Sequence, residues 1–122
     1  MPWSDIQYFK PEEFSSPDDP GTGIRMNMDL VERLDALRAK CNFALIITSG
    51  YRTDAHNKKV GGVDSSEHTD GNAVDIRCKS SSRRFTIVEN ALLLGFERIG
   101  IGSTFVHLGV SKTHPQRVIW TY

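Results

Sequence analysis

Only two cysteines, no long apolar run and no net charge are found among the 122 residues, and each shortage excludes a class of protein. Cys41 and Cys78 lack the Cys-x2-Cys spacing of a zinc knuckle and are too few for a disulfide scaffold. Buried free thiols are expected, with a bridge between the two as the alternative. No apolar stretch approaches the ~20 residues of a membrane helix, so membrane insertion is not expected. Fifteen Lys and Arg balance fifteen Asp and Glu, which leaves no overall field to draw the chain to nucleic acid or anionic lipid. The start, MPWSDIQYFK, has neither the basic nor the apolar region of a secretory leader; no signal peptide is expected. What is present is ordinary globular usage, 39% hydrophobic and 25% charged, in a length that holds one domain spanning residues 1–122. A monomer is expected.

Residues 1–25 are rich in Pro and Gly and read as an ordered N-terminal arm with at most one short helical turn, at residues 11–14, pinned to the body by Trp3, Tyr8, Phe9 and Phe14. Leu30, Leu34, Leu37 and Cys41 then step by four, three and four, which predicts an amphipathic helix over residues 27–40. The apolar run 43–48 predicts a buried central strand. A short polar helix at 52–60 and a loop at 63–71 follow. Residues 73–78 alternate as a strand with Ala73, Asp75 and Arg77 on one face. A second long helix, capped by the serines at 80–82, is expected to turn Phe85, Val88 and Leu92 inward and to close at Gly95. Strands at 97–101, 105–110 and 118–122 complete the chain. The predicted class is α+β, with helices packed on a central, mainly antiparallel sheet.

Ser66-Glu67-His68-Thr69-Asp70-Gly71-Asn72-Ala73-Val74-Asp75 fits the pattern SxHxxGxAxD at all five fixed positions, a chance match on the order of one in a million per start position. The spacing has a physical sense. Gly71 permits a sharp turn after His68, and Asp75 returns on the strand, so that an imidazole and a carboxylate can converge on one cation. His107 stands among residues that would otherwise be core, in Phe105-Val106-His107-Leu108-Gly109, and can complete the set. Three N and O ligands without thiolate match a catalytic zinc that keeps its fourth position for water.

Together with Thr48-Ser49-Gly50-Tyr51-Arg52, Asn57, Gly61-Gly62, Gly100-Ile101-Gly102 and Phe105-Val106-His107, this motif resembles the zinc D-alanyl-D-alanine carboxypeptidase family, the M15 peptidases. Within it, the chain is similar to the small single-domain enzymes frequent in phages and prophages. The resemblance implies a hedgehog/D-Ala-D-Ala peptidase-like fold and one zinc ion per chain held by His68, Asp75 and His107. It further implies that Arg52 steadies a substrate carbonyl or carboxylate; Tyr51 and Ser66 are candidate substrate-binding residues, Ser66 as an outer hydrogen-bond donor to a metal ligand or to the substrate. The implied substrate is a peptidoglycan stem peptide, met at the bacterial cell wall by a protein made in the cytoplasm and encoded by a phage or prophage.

One part of the family pattern is missing. Other branches place an acid or histidine two or three residues before the last ligand, where this chain has Phe105 and Thr104, and close relatives often carry Asp two residues after it, where this chain has Gly109. Asp64, Glu67, Asp70, His56 and His114 remain open as general base, each reading first as a solvated loop residue. Two functions therefore compete: a zinc peptidase, and a non-catalytic zinc-containing binding module on the same fold.

Overall fold

The computed structural model describes residues 2–122. In chain order its elements are α1 (Met28–Cys41), β1 (Ile47–Ser49), α2 (Asp54–Lys59), β2 (Ala73–Arg77), α3 (Ser81–Leu93), β3 (Arg98–Ile101), β4 (Phe105–Gly109) and β5 (Val118–Thr121). The Asn27 side chain accepts the Asp29 amide and starts α1, satisfying a donor that a helix end leaves unpaired. Leu30, Leu34, Leu37 and Cys41 are buried along one face, as their spacing predicts, and Val31 joins them. Ser80 caps α3 by accepting the Arg83 amide. At its far end Gly95 adopts a φ of 83° while the amides of Gly95 and Phe96 donate to Leu92 and Ala91, the paired bonds of a Schellman close.

The five strands run in the order β1-β2-β4-β3-β5, with three antiparallel pairings and one parallel pairing, β3 with β5. Val74, Ile76, Ile99, Val106 and Leu108 are buried in one cluster with the apolar faces of α1 and α3. On the opposite face the register sets Ser49, Asp75, His107, Gly100 and Trp120 in a single row across the sheet. α1 and α3 thus cover one face and leave the row with the acid and the histidine on the other.

Several expectations are corrected. Residues 43–48 are not a central strand: β1 has three residues, starts at Ile47 and lies at the sheet edge, where Leu45 is buried but Ile46 is 52% exposed. In α3 the inward residues are Ile87 and Ala91, with Val88 half-buried, while Phe85 and Leu92 face outward. The arm contains three 3-10 turns, Trp3–Asp5, Pro11–Phe14 and Thr22–Arg25, rather than one. Phe9 and Phe14 are buried, with Trp3 packed on Phe14, but Tyr8 is exposed under the Arg38 guanidinium. Asp35 on α1 accepts the amides of Gln7 and Tyr8 and ties the arm down. Cys41 and Cys78 are free and buried, with no bridge between them.

The turn between His68 and β2 depends on Gly71, whose φ is 72° and where a Cβ would lie only 2.5 Å from the Arg25 carbonyl oxygen. Gly71→Ala is therefore expected to destabilise the fold by about 1–3 kcal/mol or more, since a left-handed L-residue is itself strained. Gly95→Ala shares the positive φ but meets nothing within 4 Å, so it should cost less. Urea unfolding of the two variants checks the difference; equal midpoints would remove the close approach from the account.

Candidate metal centre

Asp75 on β2 and His107 on β4 are directly opposed in register, and His68 is brought over them by a 3-10 turn, Glu67–Asp70. That turn is capped by Ser66, whose hydroxyl accepts the His68 amide at 3.3 Å. The Arg52 amide donates to the His68 carbonyl at 3.0 Å, fixing the turn against the segment after β1. All three side chains are buried, His68 at 2%, Asp75 at 9% and His107 at 5% exposure. Their candidate ligand atoms lie within 4.8 Å of one another.

The hydrogen bonds orient both rings. His68 Nδ1 donates to the Gly50 carbonyl at 2.8 Å, which directs Nε2 at Asp75 Oδ1, 3.4 Å away. His107 has Nδ1 2.9 Å from the same Asp75 oxygen and Nε2 2.7 Å from Glu67. Burial works against the charge on Asp75, yet hydrogen bonds and positive charge from His107 and His68 outweigh it and hold the carboxyl well below its ordinary 3.8. Burial likewise opposes charge on His107, and Asp75 and Glu67 overcome it, raising the ring above 6.5. Two imidazoles, a carboxylate and no thiolate fit zinc in an open site better than they fit magnesium or calcium. The outer nitrogen of each ring already has an oxygen partner, the arrangement that holds metal-ligating histidines in place.

These directions predict how the metal-free protein responds to pH. The depressed Asp75 and Glu67 contribute stability above their ordinary 3.8 and 4.5, lost as pH falls through their lower folded values. The elevated His107 contributes below 6.5 and its contribution is lost as pH rises through its folded value. Both contributions coexist between about pH 4.5 and 6.5, where thermal unfolding of metal-free protein is expected to peak. A midpoint that climbs steadily from pH 6 to 8 without metal would contradict this.

Arg52 is held on three sides: Nε donates to Ser49 Oγ at 3.0 Å, Nη1 to Asn57 Oδ1 at 3.1 Å and Nη2 to Asp75 Oδ2 at 3.4 Å. It borders a cleft of about 460 Å³ whose floor includes His68, Asp75 and His107 and whose walls include Val63, Phe105, Trp120 and Tyr122. Ser66 also borders this cleft. Tyr51 does not; its amide donates to the Phe14 carbonyl and its ring packs on the core beneath Arg25.

Of the five open residues, Glu67 and His114 border the cleft, whereas Asp64, Asp70 and His56 do not. Glu67 is not a solvated loop residue. It is 3% exposed and accepts Arg98 Nε on both oxygens, at 3.0 and 3.1 Å, and the Ser111 amide at 3.2 Å. His114 donates from Nε2 to the Ser65 carbonyl and accepts the Ser111 hydroxyl on Nδ1. The sequence reading missed Arg98 and Trp120 as neighbours of the site. Arg98 lies over the Trp120 ring at 4.9 Å, and that ring meets His107 at 5.3 Å. The signal available was strand alternation, which puts Arg98 and Gly100 on one face of β3.

A family model described as Peptidase M15 matches residues 7–109, a span that contains Arg52, Glu67 and the three candidate ligands and stops before β5. No curated protein matches the chain.

Proposed function

The chain belongs to the peptidase M15 family, and from this premise we propose that it is a zinc-dependent peptidase that hydrolyses an amide bond in peptidoglycan stem peptides. The bond is a D-Ala-D-Ala end, a cross-link or an L-Ala-D-Glu type linkage. His68 through Nε2, Asp75 through a carboxylate oxygen and His107 through Nδ1 would hold one zinc ion. Bound there, zinc would lower the pKa of a water toward ~7 and polarise the scissile carbonyl. The observation that supports this reading most is the convergence of two imidazoles and a carboxylate, all buried, on the floor of a cleft beside a fixed guanidinium.

The rest falls to the chain's own side chains. Arg52 borders the cleft, and each of its η nitrogens has one N–H beyond the bonds to Asn57 and Asp75, donors suited to a developing oxyanion or to a terminal carboxylate. Ser66 holds the His68 turn and borders the space the substrate would fill. Phe105, Trp120 and Tyr122 give the cleft apolar walls that would exclude water. Acting on the wall, as a phage or prophage product, belongs to the same proposal.

One observation favours the second reading, a zinc-containing binding module. Positions 104 and 105 hold Thr and Phe, and the Glu67 oxygens are already taken by Arg98, Ser111 and His107, so among the described residues no unpartnered carboxylate borders the cleft as a base. Incubating zinc-loaded protein with purified peptidoglycan and following new amino groups by mass spectrometry separates the two. The peptidase reading expects defined fragments that disappear with a chelator; binding to the wall without fragments would select the module.

A further inference from the structure

Glu67 is a buried acid for which the ligand set has no place, and it touches the site at its least visible point. Its carboxylate receives donors from three other parts of the chain: Arg98 on β3, His107 on β4 and the Ser111 amide just after β4. Arg98 is itself anchored, donating from Nη1 to the Pro115 carbonyl at 2.7 Å while lying against Trp120. A carboxylate gripped in this way has little freedom to rotate. It meets His107 at Nε2, the nitrogen opposite the one beside Asp75.

Gly109 supplies the second observation. It sits two residues after His107, on the same face of β4, and a Cβ built there would overlap the Glu67 carboxyl group. Gly109 is not among the residues of positive φ, so its lack of a side chain serves space rather than backbone conformation. The Glu67 carboxylate occupies the volume that a side chain at position 109 would fill.

We propose that Glu67 is the positioning residue of the metal centre: it accepts a hydrogen bond from His107 Nε2–H, locks that ring with the Nδ1 lone pair toward Asp75 and His68, and has Gly109 as the vacancy that lets it reach. The inference rests on His68, Asp75 and His107 being metal ligands. A ligating imidazole whose other nitrogen loses its carboxylate partner can tilt, or move its proton to the ligating side, and outer partners of this kind are worth about 10–100-fold in metal affinity.

The test compares wild type with Glu67→Gln, which keeps the size but not the charge, and with Gly109→Ala, which displaces the carboxylate without altering it. Zinc affinity is read by competition with a chromophoric chelator, and circular dichroism confirms that each variant is folded. Both variants are expected to bind zinc about 10–100-fold more weakly than wild type. Affinities within about twofold of wild type in the folded variants would overturn the proposal. Should wild type itself take up no zinc, the ligand reading fails separately, and nitrogen NMR of the neutral His107 ring in metal-free protein decides the positioning role. A shift of the ring proton from Nε2 to Nδ1 in Glu67→Gln supports it, and an unchanged proton distribution overturns it.

Discussion

His68→Ala is expected to abolish zinc uptake and hydrolysis while leaving the sheet folded. His68 is the only candidate ligand that comes from outside the sheet, so without it Asp75 and His107 offer two donors from adjacent strands and nothing closes over them. The loss in affinity should exceed the 10–100-fold typical of an outer hydrogen-bond partner, because a ligand atom itself is removed. The Gly50 carbonyl would also lose its donor, a cost of roughly 1–3 kcal/mol if it stays dry. That is small enough for the metal-free variant to remain folded under native conditions. Metal analysis after dialysis measures the outcome, and a variant that still holds one zinc per chain would remove His68 from the ligand set.

Arg52→Ala carries the second large effect, of a different kind. The guanidinium is not a ligand, and Asp75 keeps both histidines when it goes, so zinc content should be unchanged. Turnover should fall by about 10²-fold if Arg52 stabilises the developing oxyanion. A rise confined to KM would mean that it grips the substrate carboxylate in ground and transition states alike. Arg52→Lys should rescue little, since an ammonium cannot keep the separate bonds to Ser49, Asn57 and Asp75 while facing the cleft. Unchanged kinetics in Arg52→Ala would return the residue to a purely structural place.

The candidate ligands were legible because their chemistry is local. His68, Gly71 and Asp75 lie within eight consecutive residues, and strand alternation sets His107 on the face opposite the apolar Val106 and Leu108. α1 was legible for a similar reason, having one apolar stripe. α3 has two, Phe85 with Val88 and Leu92, and Ile87 with Ala91 and Leu94. Periodicity cannot choose between them, and it is the stripe containing the small Ala91 that is buried against α1 and the sheet. The run 43–48 misled because continuous apolarity records burial without recording how many neighbours a strand has; β1 pairs with β2 alone. Glu67 reads from sequence as a solvated loop residue, open as a base, because the charges that justify its burial are distant in sequence, Arg98 lying 31 residues away and His107 lying 40 away. A charged residue in each of two otherwise apolar strands was the available hint that a buried ionic network joins them.

The most direct test of the metal centre is a crystal structure of zinc-loaded protein with diffraction recorded on both sides of the zinc absorption edge. The account predicts one anomalous peak per chain, bonded to His68 Nε2, an Asp75 oxygen and His107 Nδ1 at about 2.0–2.2 Å, with His107 Nε2 still directed at Glu67. A peak elsewhere, or none at saturating zinc with the three side chains as they stand here, would contradict it.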